Sequence, residues 1–349
     1  MIPSWCQFSL SIHPTVLNNI PATSKLVSII SLQDLTKDFG DFRAIDGVNL
    51  EVEQGEIFGF LGPNGAGKST TINVLLDLIR PTSGSARIFD IDCQKGSQLI
   101  RQRTGVLPEG FEVYGRLTGR RHMEFAIEAK DADVTPDELL ERVGLLHAAD
   151  RPAGGYSTGM KQRLGLANAL IGGPDLLMLD EPHSGLDPNG VRELLEVIRE
   201  ENEKGTTVFF SSHILDHVQS ICDRVCILNE GEIMVTDTID GLRSSLGVSG
   251  QIMFDLPEVT DESIALIEDL PYTQDVDVAD RRISVTCQNS DKAKIVNALV
   301  ESKLDIQNIE TTELSLDDVF AAYTSDDVDT ADIFADEADV EDSEVPVEP

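Results

Sequence analysis

The stretch GPNGAGKST, residues 62–70, constrains this chain more than any other nine residues in it. It follows a short apolar run, EIFGFL at 56–61, and precedes TTINVLLDLIR at 70–80, whose apolar spacing is helical. Strand, glycine-rich loop and helix in that order complete the pattern G-x-x-x-x-G-K-[ST], a phosphate cradle. Glycine at 62, 65 and 67 lets the backbone curl so that successive N–H groups face phosphate oxygens. The expected nucleotide contacts therefore run from Gly62, Pro63, Asn64, Gly65, Ala66 and Gly67 to Lys68, Ser69 and Thr70. Lys68 is expected to reach the β- and γ-phosphates and Ser69 to ligate Mg²⁺.

Two further runs, LLML at 176–179 and TVFFS at 207–211, are continuous rather than alternating, as strands buried on both faces must be. Apolar runs alternate with helical patterns from Ile29 to about Asp240, which predicts an α/β domain built on a parallel sheet. In such sheets ligands sit beyond the carboxyl ends of the strands, so Gly62, Asp180 and His213 should converge. Asp180 is then placed to hold Mg²⁺ through water, and Glu181 to take a proton from an attacking water. His213 should reach a γ-phosphate at the same sheet edge.

Charge restricts the partners. The chain has 349 residues with 62 acidic against 27 basic side chains, a net −35 whose field repels nucleic acid and anionic lipid. Nucleic acid is excluded as a partner on that ground. The last 25 residues hold 11 of the carboxylates and neither Lys nor Arg, yet about −24 remains on the rest. Self-repulsion on that scale is screened in concentrated salt, so a halophilic source is expected. Dialysis to low salt should unfold or inactivate the protein; full activity at salt on the order of tens of millimolar would remove this reading.

Five cysteines, Cys6, Cys93, Cys222, Cys226 and Cys287, are odd in number and lack paired CxxC spacing. They are expected to pack in cores rather than form disulfides or a cysteine–zinc site. No apolar run approaches the length of a membrane span, so the chain is not expected to cross a bilayer by itself.

Residues 1–28 read as an appendage, disordered or added by a misplaced start, with the folded chain beginning near Val27. From 29 to 247 runs the α/β domain, interrupted at about 110–157 by a helix-rich insertion. There Thr135, Pro136 and Glu138 combine an N-cap, a first-turn proline and a capping box. Residues 248–324 read as a small α+β module of three strands and two helices, and 325–349 as an acidic disordered tail.

A second loop, GGYSTGMKQRLGLANAL at 154–170, also has the composition of an anion grip at a helix N-terminus. With it, the residues from about 29 to 248 resemble the ABC ATPases, the nucleotide-binding subunits of ABC transporters, with six motifs in the family's order. The resemblance makes GPNGAGKST the Walker A loop and LLMLDE Walker B, with Glu181 as catalytic base. Lys68 and His213 then stabilise the γ-phosphate, SGLDP with Asp187 is similar to the D-loop, and Phe39 is similar to the aromatic that stacks on adenine. YSTGM, residues 156–160, is similar to the signature loop; Ser157 and Gly159 match it, whereas Tyr156, Thr158 and Met160 depart. Glu109, in GVLPEG, stands where the family usually has a glutamine that contacts Mg²⁺.

The implied fold is a RecA-like P-loop core with an antiparallel β subdomain and an inserted helical subdomain. The implied mechanism needs two copies, a homodimer that clamps ATP and Mg²⁺ between Walker A of one and Ser157, Thr158, Gly159 and Met160 of the other. The L-P-E form and the ending LDDVFAAYT at 316–324 resemble the ABC-2-type exporter branch. A separate integral-membrane permease is then the partner, and the chain lies on the cytoplasmic face of the membrane. The alternatives are a soluble ABC ATPase, as in iron–sulfur assembly, and a nucleotide sensor without turnover, against which Glu181 speaks.

Overall fold

Three apolar segments buried at every position, Ile57–Leu61, Leu176–Asp180 and Thr207–Ser212, lie inside one six-stranded sheet. The structure, a computed structural model, describes residues 27–245, 250–273, 275–279, 281–287, 291–302, 304–312 and 316–324. The chain opens with β1 (Ser28–Phe39), β2 (Phe42–Glu53), β3 (Ile57–Leu61), α1 (Lys68–Leu75), β4 (Ser83–Ile88), β5 (Ile91–Asp92), α2 (Ser97–Arg103) and β6 (Thr104–Leu107). Then come α3 (Gly119–Lys130), α4 (Pro136–Arg142), α5 (Thr158–Ala169), β7 (Leu176–Asp180), α6 (Pro188–Glu203), β8 (Thr207–Ser212), α7 (Leu215–Gln219), β9 (Arg224–Asn229), β10 (Glu232–Asp237) and α8 (Ile239–Ser245). The last part holds β11 (Gly250–Asp255), α9 (Asp261–Glu268), β12 (Asp275–Ala279), β13 (Arg282–Cys287), α10 (Lys292–Glu301), β14 (Asn308–Thr312) and α11 (Leu316–Thr324).

The six-stranded sheet has the order β10-β9-β3-β8-β7-β6, parallel except for β10 at its edge. Successive residues of one strand feed two cores: Leu61, Leu177, Leu179 and Phe210 pack on one face, and Phe58, Phe60, Met178 and Phe209 on the other. Both faces are covered, which is why these strands read as unbroken apolar runs. An antiparallel sheet, β2-β1-β4-β5, contributes Ile30, Leu32, Ile45 and Leu50 to the second core. The first core is completed by residues of α4 to α7. Ser28 already belongs to β1, so the boundary at 28 moves back by one residue, and the Val27 carbonyl accepts from Gln54 N–H.

Helix α4 begins where its sequence directs. The Thr135 hydroxyl accepts from Glu138 N–H while the Glu138 carboxylate accepts from Thr135 N–H, with proline at the first turn. Helix α1 is shorter than the apolar spacing over 70–80 predicts. It stops at Leu75, because Asp77 takes a left-handed conformation, φ 54°, and the N–H groups of Leu78 and Ile79 turn back to Asn73 O.

The C-terminal strands form a separate antiparallel sheet, β12-β13-β11-β14, around Ile252, Phe254, Ile283, Val285, Ile295 and Leu299. Strand β12 is additional to the three strands expected here: its Asp-Val alternation lies at the sheet edge with most residues exposed, so no buried face marks it. The element order β-α-β-β-α-β is that of a ferredoxin-like unit. Helix α11 leaves that unit and returns to the first core, where Leu316, Phe320 and Tyr323 pack with Leu215 and Val218 of α7. The appendage before Val27, with Cys6, and the acidic tail after Thr324 lie outside the described residues. Among the described residues no helix is long and apolar enough to cross a membrane.

Candidate active site

The loop between β3 and α1 is shaped by backbone crowding. Gly67, at φ 108°, caps α1, and a Cβ there would stand 2.5 Å from the Ala44 carbonyl oxygen. Lys68, the first helical residue, is buried; its ammonium donates to Gly62 O at 2.6 Å and Pro63 O at 3.3 Å. Ser69 and Thr70 follow in the first turn, where helix N–H groups have no partner within the helix. A cavity of about 360 Å³ opens here, lined by Gly65, Lys68, Ser69, Thr70, Glu109 and Glu181. Pro63, Asn64 and Gly67 also face it, and Ala66 lines an adjoining one with Asn64 and Gly65.

Asp180 and Glu181 arrive at the end of β7, both 5% exposed. Ser211, at the end of the neighbouring β8, holds the pair: its hydroxyl donates to Asp180 Oδ1 at 2.5 Å and accepts from Glu181 N–H at 3.0 Å. Glu181 has φ 48°, a left-handed conformation that costs a residue with a side chain of order 1 kcal/mol or more. That turn brings its carboxylate to Lys68, with Oε1 3.5 Å from the ammonium. His213 Nδ1 donates to Oε2 at 2.8 Å, since an ionised carboxylate can only accept. Burial pushes the Glu181 carboxyl up, but His183, His213 and Lys68 outweigh it and hold the group below the ordinary carboxylate range. A buried base that stays charged, with Oε1 accepting no hydrogen bond, can take up a proton.

The sheet edge thus brings together Lys68, Ser69, Glu109, Asp180, Glu181 and His213, from four separate segments. The Ser69 hydroxyl and the carboxylates of Glu109 and Asp180 are oxygen donors, the set a hard divalent cation such as Mg²⁺ takes. Ser69 and Glu109 share the cavity, and Asp180 stands behind it on Ser211.

Other expected residues are placed elsewhere. Ser157, Thr158, Gly159 and Met160 do not line this cavity. The Ser157 hydroxyl caps α5 by accepting from Met160 N–H at 3.2 Å, and both Ser157 and Thr158 are exposed. Tyr156 departs from the signature for a structural reason: it is buried, and its hydroxyl donates to Ala148 O at 2.7 Å. The Thr158 side chain lies against Gly185, where a Cβ would collide with it, so this loop and the 184–188 segment pack together. Asp187 caps α6 by accepting from Gly190 N–H at 2.8 Å. Phe39 lines neither cavity at the loop; Phe42, its partner across the β1–β2 turn, lines both and is 62% exposed.

Three contributors escaped the sequence reading: Phe42, Ser211 and His183. A hydroxyl at the carboxyl end of a buried strand was the available signal for Ser211, and a histidine two residues after Glu181 the one for His183. Among the described cysteines, Cys222 is half-buried and the other three are core residues. Cys93, Cys226 and Cys287 are buried, and burial raises the thiols of Cys93 and Cys226 to about 12.

The family model for ABC transporters matches residues 45–184. The bacitracin transport ATP-binding protein BcrA of Bacillus licheniformis is 38% identical over 84% of this chain and 96% of its own length. A daunorubicin resistance ATP-binding protein of Streptomyces coeruleorubidus is 33% identical over 85% of this chain and 96% of its own. Among solved structures, an ATP-binding subunit of an ABC transporter aligns with TM-score 0.59 and 30% identity, covering 63% of this chain and 94% of that one. A dimeric ATP-binding cassette in a post-hydrolysis state, bound to ADP and Pi, aligns with TM-score 0.56 and 25% identity, covering 60% and 98%.

Proposed function

The chain belongs to the ATP-binding subunits of ABC transporters, of the exporter type, and we propose that two copies close on two ATP–Mg²⁺ to drive a separate membrane permease. It is an ATPase with the P-loop fold of that family. The observation that carries the mechanism is the Glu181 carboxylate, held charged at the mouth of the P-loop cavity between Lys68 and His213. Glu181 accepts the proton of the attacking water, while Lys68 supplies positive charge and His213 a hydrogen bond to the γ-phosphate. Ser69, Glu109 and Asp180 would hold Mg²⁺, which would neutralise charge on the phosphate oxygens. Ser211 keeps Asp180 and Glu181 in register. Ser157 and Gly159 of one copy close over the phosphate in the other, since within one chain they lie outside the P-loop cavity. Phe42, with Phe39 across the turn, flanks the adenine.

Coupling to the permease runs from Glu109 through the segment that follows it. Phe111 packs against Gly165 of α5, and with Val113, Tyr114, Leu117, Met123 and Phe125 it lines a groove of about 570 Å³. Tyr114 and Phe125 are 71% and 67% exposed, large apolar surface that a cytoplasmic helix of the permease would cover. On this reading the chain lies on the inner face of the membrane. The alternative of a soluble ATPase in iron–sulfur assembly is overturned by the relatives, which are named for transport and resistance.

The test is attachment. From detergent-solubilised membranes of the native cells the chain should co-purify with a multi-span membrane protein, and Phe125→Asp should shift most of it to the soluble fraction. A wild-type chain found wholly in the soluble fraction would overturn the permease reading.

A further inference from the structure

Glu181 is surrounded by more imidazole than hydrolysis uses. His183, two residues on, is 5% exposed, and its ring lies 5.6 Å from that of His213 and 5.0 Å from that of His217. Its Nε2 comes within 3.1 Å of Glu181 Oε2, while Nδ1 meets no hydrogen-bond partner among the described residues. His213 Nδ1 approaches the same carboxylate oxygen at 2.8 Å. One ligand atom from each of Glu181, His183 and His213 lies within 4.8 Å of the others.

We propose that Glu181, His183 and His213 form a Zn²⁺ site, and that Zn²⁺ bound there withholds the base and switches ATP hydrolysis off. Two imidazoles and a carboxylate are a zinc donor set, with bonds of about 2.0–2.2 Å that put tetrahedral ligand atoms roughly 3.3 Å apart. The 2.8 and 3.1 Å approaches to Glu181 would lengthen slightly, and the two imidazoles, whose ligand atoms lie within 4.8 Å, would close toward that spacing. Nitrogen donors favour Zn²⁺ over Mg²⁺, which selects oxygen and near-octahedral geometry. Glu181 faces the P-loop cavity, so the fourth position is open to water. The site differs from the Mg²⁺ set of Ser69, Glu109 and Asp180 in every ligand. Binding stands on this geometry alone, whereas inhibition rests on Glu181 and His213 being the hydrolytic pair.

The experiment uses the full chain, carrying Cys6→Ser and stripped by chelation, titrated calorimetrically with Zn²⁺ in excess Mg²⁺ and without nucleotide. One Zn²⁺ per chain is expected, and Co²⁺ in its place should give the intense visible absorption of a tetrahedral site. His183→Gln should weaken binding at least about tenfold. Should that variant fail a thermal-melt check, Glu181→Gln removes a different ligand and should weaken binding likewise. A pale, octahedral Co²⁺ spectrum, or equal affinity in the folded variants, would overturn the site. In the second arm Zn²⁺ should inhibit wild-type ATP turnover and inhibit His183→Gln at least tenfold less potently, each referred to its own zinc-free rate. Tight binding without inhibition would overturn the regulatory half.

Discussion

Glu181→Gln is expected to lower steady-state ATP turnover by about 10²- to 10⁴-fold while ATP still binds, the loss that follows removal of a positioned general base. The substitution keeps the shape of the side chain and removes its charge and its capacity to take a proton. Binding should persist because the P-loop contacts come from the Gly62–Thr70 backbone and from Lys68, which also donates to Gly62 O and Pro63 O. The fold should persist because Ser211 anchors Glu181 through its backbone N–H, which the amide retains. Phosphate release measures the first quantity and fluorescent-nucleotide titration the second. Turnover within tenfold of wild type would mean that another group takes the proton. His213 is the first to examine, since its Nδ1 already lies 2.8 Å from Glu181 Oε2.

What could be read in advance divides along a physical line. GPNGAGKST was legible because strand, loop and helix each impose a local requirement at fixed spacing. Gly67 shows the strength of that requirement: its left-handed φ and its approach to Ala44 leave no room for a side chain. Leu176–Asp180 and Thr207–Ser212 were legible because burial on two faces removes alternation. Contacts set by tertiary register were not legible. Whether Phe39 or Phe42 faces the loop depends on how the β1–β2 turn points its side chains, and Phe42 lines the cavity. Ser211 acquires its role only when β8 pairs beside β7, bringing its hydroxyl to Asp180. Strand β12 was missed because an exposed acidic edge carries no apolar signature.

Lys68→Ala and Ser157→Arg should each abolish ATP turnover alone, and mixing the two inactive proteins should restore it in part. Lys68→Ala removes the cation at the P-loop cavity; Ser157→Arg places a bulky side chain where α5 presents its N-terminus. In a hybrid dimer one site pairs both defects, while the other pairs an intact P-loop with an intact Ser157 loop. Random mixing of a symmetric dimer with independent sites returns about a quarter of the wild-type rate. Ser157 also caps α5, and losing the cap costs about 0.5–2 kcal/mol, so the melting temperature must show that Ser157→Arg remains folded. Subunit exchange is followed separately by tagging each variant. A mixed dimer that forms and stays inactive would confine hydrolysis to one chain, and the exposed Ser157–Met160 loop would then need another role. Recovery in proportion to the hybrid fraction fits only a site completed by the second copy, because neither variant alone has both halves.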